Sequence, residues 1–265
     1  MNSPSPSDLH PLRDLLPLRD RVALVTGASS GIGTAIAEML ADAGARVALL
    51  ARRADRLQAL VDALRSRHPT SDPIALPCDL RDADAIARSF AELRARTGGV
   101  DILVNNAGLG RLAPLCSGAT ADWREMLEVN VLALAICTRE AIADMQRRGD
   151  RGHVIHVSSM AAHRVPAGSG MYAASKYAVR ALLEGLRQEL RAGGSAIRVG
   201  AVSPGYVRTE FAEVYERDPE AGARTYGRFT VLEPADVAAC VRHMLTAPAH
   251  VQIHDVLMRS VDQPD

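Results

Sequence analysis

The 265-residue sequence predicts an α/β fold, with a parallel sheet of seven strands doubly wound by helices on both faces. Three observations carry this expectation. Short apolar runs alternate along the chain with segments whose apolar residues recur at helical spacing. The runs are apolar at successive positions rather than at every second one, the pattern of strands buried on both faces. Between the first run and the first helical segment lies a glycine-rich turn, Gly27-Ala28-Ser29-Ser30-Gly31-Ile32-Gly33.

The elements follow in order. Residues 1–19 carry Pro4, Pro6, Pro11 and Pro17 among serines and read as an irregular lead-in; residues 20–265 read as one domain. Val22-Ala23-Leu24-Val25 is the first strand, and Ile32, Ile36, Met39 and Leu40 mark the helix after the glycine turn. Gly44 stops that helix before a second strand, residues 46–51. A helix over 53–68 leads to a third strand at Ile74-Ala75-Leu76, with Cys78-Asp79-Leu80 as its exit. Residues 82–96 are helical, and Asp101-Ile102-Leu103-Val104 is a fourth strand ending in Asn105-Asn106-Ala107-Gly108. A long helical region covers 120–147, and a fifth strand covers 152–157. The next helix starts near Tyr172 and stops at Gly193-Gly194, followed by a sixth strand over 197–202. Residues 206–232 read as polar and irregular, 234–246 as helix, and Val251 to Met258 as the seventh strand.

Bulk properties narrow the partners. Lys plus Arg total 31, as do Asp plus Glu, so no net field draws the chain to nucleic acid or to an acidic membrane. A small molecule is the expected partner. Cys78, Cys116, Cys137 and Cys240 stand far apart with no C-x-x-C pair, as reduced thiols of a cytoplasmic protein would, and no metal site is expected. No apolar run is long enough to span a bilayer, and the first residues lack the basic and apolar regions of a secretory signal.

A strand, a glycine turn and a helix N-terminus together hold a phosphate, because unpaired backbone N–H groups and the positive end of the helix dipole face the anion. The spacing here is Thr26-Gly27, three residues, Gly31, one residue, Gly33. It resembles the T-G-x-x-x-G-x-G of the short-chain dehydrogenase/reductase family in its compact single-domain branch. The resemblance extends along nearly the whole chain from residue 20, through Asn105-Asn106-Ala107-Gly108, Asn130, Ser158-Ser159, Tyr172-x-x-x-Lys176 and Pro204-Gly205 in the family's order. It implies a Rossmann-type fold and an oxidoreductase that interconverts a carbonyl and a secondary alcohol by hydride transfer.

The resemblance also assigns roles. Tyr172 and Lys176, four apart on one helical face, become the general acid/base and its electrostatic partner. A free tyrosine has a pKa of about 10, and a nearby lysine cation is expected to lower it. Of Ser158 and Ser159, the second is the one implied to hydrogen-bond the substrate oxygen. Asn130 interrupts an apolar run and must be hydrogen-bonded; relatives use it to hold a water that links the lysine to solvent. The cofactor is expected against Gly27, Ser29, Ser30, Gly31, Ile32 and Gly33, against Asp79 and Leu80 on the adenine side, and against Asn106, Ala107 and Gly108. Tyr172, Lys176, Pro204, Gly205, Val207 and Thr209 lie toward its nicotinamide end.

NADP(H) is the expected dinucleotide. An acidic residue at the end of the second strand holds the ribose of NAD, whereas arginine there accommodates the 2′-phosphate of NADP. This strand ends in Ala51-Arg52-Arg53, with Asp55 as the residue that could reverse the preference. Ser30 stands where some NADP-specific relatives carry a basic residue, and Ala162 where relatives often carry glycine. His163, Arg164 and residues 206–230 are expected to shape the substrate pocket. The alternatives are an NAD-dependent alcohol dehydrogenase of the same family and a non-catalytic dinucleotide-sensing or scaffold protein. The helix around Asn130, apolar on nearly every side over 129–137, implies a homodimer or homotetramer.

Overall fold

The computed structural model describes residues 17–69 and 71–264. Seven strands form one parallel sheet: β1 (Val22–Thr26), β2 (Arg46–Ala51), β3 (Ile74–Pro77), β4 (Ile102–Asn105), β5 (His153–Val157), β6 (Arg198–Pro204) and β7 (Asp255–Met258), in the spatial order β3-β2-β1-β4-β5-β6-β7. The chain steps outward from β1 to β2 and β3 on one side, then returns to β4 on the other. That reversal opens a crevice beyond the carboxyl ends of β1 and β4, where open α/β sheets bind their ligands.

Side-chain alternation explains why the strands read as continuous apolar runs. In β1, Ala23 and Val25 face one layer while Val22 and Leu24 face the other. On the first face lie α1 (Gly31–Asp42), α2 (Ala54–Arg67) and α9 (Pro234–Thr246), contributing Ile36, Leu40, Leu57, Leu64, Val237 and Val241. On the second lie α3 (Ala83–Thr97), α5 (Leu134–Arg147) and α6 (Gly170–Ala192), with Phe90, Leu93, Cys137, Met145 and Leu183. The region 120–147 is one helical rod, α4 (Thr120–Leu127) running through a π-helical turn (Glu128–Ala133) into α5.

Several boundaries differ from the sequence expectation. Of the lead-in over 1–19, residues 1–16 lie outside the described residues, while Leu18 is buried and donates its N–H to Ala43 O at 2.9 Å. The third strand keeps Ile74 to Leu76 and ends at Pro77. Of the seventh, only Asp255–Met258 pairs with β6. Over 252–254 the N–H groups of β6 find other acceptors: Val199 donates to Gln252 Oε1 and Ala201 to the His254 carbonyl. The stretch 206–232 is not irregular throughout, for it holds two short helices, α7 (Phe211–Glu216) and α8 (Ala221–Tyr226). Six residues are fewer than two turns, too short for a periodicity to show in sequence.

Two histidines of β5 are built into the core. His153 is buried with neither ring nitrogen hydrogen-bonded, and burial, then Arg198, pushes its pKa down to about 3. His156 meets Asn105 Nδ2 at 3.2 Å through its Nδ1 and is pushed down to about 4 by burial, then by Lys176. Both folded pKa values lie below the unfolded value of 6.5. Between them and 6.5 the unfolded chain binds more protons than the folded one, so stability falls as pH drops through that window. By pH ~4.5 the expected loss is on the order of 2 kcal/mol per histidine. Thermal melts of wild type and His153→Leu between pH 7 and 4.5 test this. The variant should lose less stability on acidification, and parallel curves would refute the assignment.

Candidate active site

The crevice is braced before it is lined. Thr26, the last residue of β1, accepts through its hydroxyl from the Asn106 N–H at 3.1 Å and the Ala107 N–H at 3.0 Å. Asn106 returns the tie, its amide donating to the carbonyls of Thr26 at 2.9 Å and Gly27 at 3.2 Å. The ends of β1 and β4 are thereby held together. Gly27 sits at φ +67°, and a Cβ on Gly33 would stand 2.3 Å from the Gly27 carbonyl oxygen. Neither position admits a side chain without moving the backbone.

A cleft of about 600 Å³ runs from this turn past β4, β5 and β6. Nearly all the residues expected to meet a cofactor or substrate line it: Ser29, Ser30, Gly31, Ile32, Arg52, Arg53, Asp79, Leu80, Asn106, Ala107, Gly108, Ser159, Tyr172, Lys176, Pro204, Gly205, Val207 and Thr209 among them. Gly33, Asn130 and His163 do not line it, and the His163 ring meets Asp255 Oδ2 through Nε2 at 3.0 Å.

At the β2 end, Arg53 rather than Arg52 turns onto the glycine loop. Its Nε and Nη2 donate to Ser29 Oγ at 3.2 and 3.1 Å, and Nη2 donates to Ser30 Oγ at 2.7 Å. Arg52 is exposed at the rim, and its charge helps hold Asp79 below the usual carboxylate range. The larger cause there is Arg81, whose guanidinium chelates Asp79 at 2.5–3.1 Å. Asp55 is exposed on α2 and does not line the cleft.

At the other end, α6 carries Tyr172 and Lys176 toward β5. The Lys176 ammonium is buried and donates to the Val157 carbonyl at 3.2 Å, 5.9 Å from the Tyr172 ring centroid. Burial pushes its pKa down to about 8. Tyr172 lines the cleft together with Ser159, which caps the short turn Met160–Ala162 by accepting from the Ala161 N–H. Ser158 also borders the cleft, but its Oγ is buried without a partner.

Tyr172 itself departs from the expectation that lysine would draw its pKa down. Burial pushes it up to about 12, against a smaller lowering by Ser159. The aromatic rings of Phe211 at 5.5 Å and Tyr215 at 6.4 Å help to exclude water, and the ammonium is turned to the Val157 carbonyl.

The Asn130 amide is taken up by protein groups: Oδ1 accepts from Leu109 N–H at 2.9 Å, and Nδ2 donates to Leu109 O at 2.8 Å and Ser175 Oγ at 3.0 Å. It works as a strut that holds the strand exit against α6, and the π-helical turn presents it inward. The stretch 206–230 lines the cleft as expected, with Glu210 and an aromatic wall of Phe211, Tyr215 and Tyr226, whereas Arg111 and Gln263 were missed by sequence reasoning. Gln263 comes from beyond β7 to accept the Tyr206 N–H at 3.0 Å, and no motif marks it.

A glycine cradle that excludes Cβ atoms, placed at the switch point of a parallel sheet, defines a dinucleotide-binding α/β protein. Residues 21–220 match the family described as short chain dehydrogenase. The chain belongs to the short-chain dehydrogenase/reductase family and is an oxidoreductase of that family. It is 48% identical over 249 residues to dehydrogenase/reductase SDR family member 11 of Bos taurus, covering 92% of this chain and 98% of that protein. Among solved structures it is similar to the closed form of serine dehydrogenase complexed with NADP+, with a TM-score of 0.86 and 35% identity over 92% of this chain and 96% of that one. A short-chain dehydrogenase/reductase from Burkholderia phymatum in complex with NAD has a TM-score of 0.81 and 26% identity, over 91% and 89% of the two chains. No described helix is long and apolar enough to cross a membrane, and among the described residues no cluster of His, Cys, Asp and Glu could hold a metal ion.

Proposed function

We propose that residues 20–265 form one catalytic domain that reduces a small-molecule carbonyl, or oxidises the matching secondary alcohol, with NADP(H). The observation that carries this reading is the convergence of Tyr172 and Ser159 on the cleft wall, with the Lys176 ammonium buried beside them. When bound, the dinucleotide supplies the hydride for reduction or accepts it in the reverse direction. Tyr172, with its pKa near 12, holds its proton at neutral pH and donates it to the carbonyl oxygen as charge builds there. Ser159 orients that oxygen. Lys176 is mostly cationic below its pKa of about 8 and stabilises the tyrosinate left behind. Asn130 keeps Leu109 and Ser175 in place behind them.

The choice of NADP(H) is supported by Arg53 on the serine pair Ser29 and Ser30, by Arg52 at the rim, and by the lack of a carboxylate at Ala51. The NAD complex among the structural neighbours favours the NAD-dependent alternative. Turnover of a carbonyl panel with NADPH and NADH, measured separately, tests both. Preferential NADPH oxidation is expected. Preferential NADH oxidation would reverse the cofactor assignment, and turnover with neither would leave the sensing or scaffold role. Four unpaired thiols, Cys78 and Cys137 among them buried, support the cytoplasm as its location.

A homodimer or homotetramer is part of the same proposal. Leu127, Leu132, Tyr177 and Leu182 stand exposed on the rod over 120–147 and on α6, and a hollow of about 270 Å³ lined by Ile142 and Leu186 lies between α5 and α6. Leu257 of the edge strand β7 is half exposed as well. A second copy would bury these side chains. Light scattering at micromolar concentration should give dimer or tetramer mass, and a single species at 28.3 kDa would refute it.

A further inference from the structure

One carboxylate reaches both Arg53, just beyond β2, and Arg56 on α2, and it comes from the substrate side of the cleft. Glu210 stands immediately before α7, where its Oε2 accepts from Arg53 Nη1 at 3.0 Å and its Oε1 from Arg56 Nη1 at 2.7 Å. With Nε and Nη2 of Arg53 donating to Ser29 and Ser30, every nitrogen of that guanidinium is engaged. The residue before Glu210 secures the approach, for the Thr209 methyl packs against Gly31 of the glycine turn. Glu210 therefore lies against the arginine that would receive a 2′-phosphate, and it lines the same cleft.

Two anions cannot share one guanidinium edge without repulsion, and a phosphate monoester carries about −1.5 to −2 charges at neutral pH. We propose that Glu210 is a specificity-determining residue that competes with the 2′-phosphate for Arg53 and so sets how strongly the chain prefers the phosphorylated dinucleotide. The inference rests on reading the β2 end as a 2′-phosphate site. On binding, the phosphate takes the Nη1 donor from Glu210, which keeps its contact to Arg56. An unphosphorylated adenosine ligand leaves both ion pairs intact. Glu210 thus lowers affinity for the phosphorylated ligand alone, and it ties occupation of the adenosine end to the start of α7, whose Phe211 and Tyr215 pack on Tyr172.

Calorimetric titration of adenosine 2′,5′-bisphosphate and adenosine 5′-monophosphate tests this without turnover. Wild type should bind the bisphosphate more tightly than the monophosphate. Glu210→Gln should tighten the bisphosphate further by about fivefold, the scale of one half-exposed ion pair, and leave the monophosphate unchanged. Hydrogen exchange gives a second readout. The bisphosphate should speed exchange of the amides over 209–216 in wild type, as Glu210 loses Arg53, and should not do so in Glu210→Gln. Equal binding of the two ligands by wild type would remove the phosphate site itself. A clear wild-type preference for the bisphosphate, with Glu210→Gln binding it no more tightly, would leave that site standing and overturn the role of Glu210. A melting temperature within a few degrees of wild type, with Glu210→Ala as a second variant, separates either result from a folding defect.

Discussion

Tyr172→Phe is expected to lower kcat/KM for carbonyl reduction about 10³-fold, within the range of general acid catalysis, and to leave dinucleotide affinity within a few-fold. The variant keeps the ring, so its packing against Phe211 and Tyr215 survives, and Ser159 still accepts from the Ala161 N–H. What it loses is the proton. Burial holds that proton on Tyr172 up to a pKa of about 12, so wild type carries the donor in its acidic form across the neutral range. The limit at high pH is expected from Lys176 instead. Its ammonium titrates near 8, and above that value the positive charge that steadies the tyrosinate is lost, so reduction should decline as pH rises past 8. Steady-state rates against pH for both proteins check the two statements. Retention of wild-type turnover in Tyr172→Phe would show that the proton comes from another group.

The sheet was legible because its inner strands are buried on both faces. Residues such as Val22 to Val25 serve two cores at once, so all of them must be apolar, and the run announces itself. The glycine turn was legible for a steric reason, since the Gly33 Cβ position is filled by the Gly27 carbonyl. Short range in sequence is what these features share. The pair Arg53 and Glu210 lies 157 residues apart, and neither residue type is unusual where it stands. The helices α7 and α8 are too short to show a period. The pKa of Tyr172 illustrates a different limit. Spacing alone placed a lysine cation on the same face, which argued for a lowered value. Burial under Phe211 and Tyr215 dominates, and neither aromatic lies near Tyr172 in sequence. Asn130 sits between the two cases. The sequence required hydrogen-bond partners for it, and the fold supplies them as the Leu109 backbone and Ser175.

Pairing Ala51→Asp with Arg53→Gln is expected to move cofactor preference from NADPH toward NADH by at least about tenfold, the scale of one lost charge-assisted contact. Ala51 ends β2, buried beside the cleft, and Asp there would accept from a ribose hydroxyl while repelling a 2′-phosphate. Arg53 is the partner to remove, because it is the guanidinium that rests on Ser29 and Ser30, whereas Arg52 leans toward Asp79 at the rim. Arg52→Gln alone should therefore have the smaller effect. Removing Arg53 also leaves Glu210 held by Arg56 at 2.7 Å, so the start of α7 keeps one of its two ion pairs and the substrate side of the cleft is preserved. The measurement is the ratio of kcat/KM for NADPH over NADH in wild type, in each single variant and in the pair. Arg53→Gln and Ala51→Asp share one site, so their effects need not add. A ratio in the pair equal to that of wild type would show that the β2 end does not read the 2′-position at all.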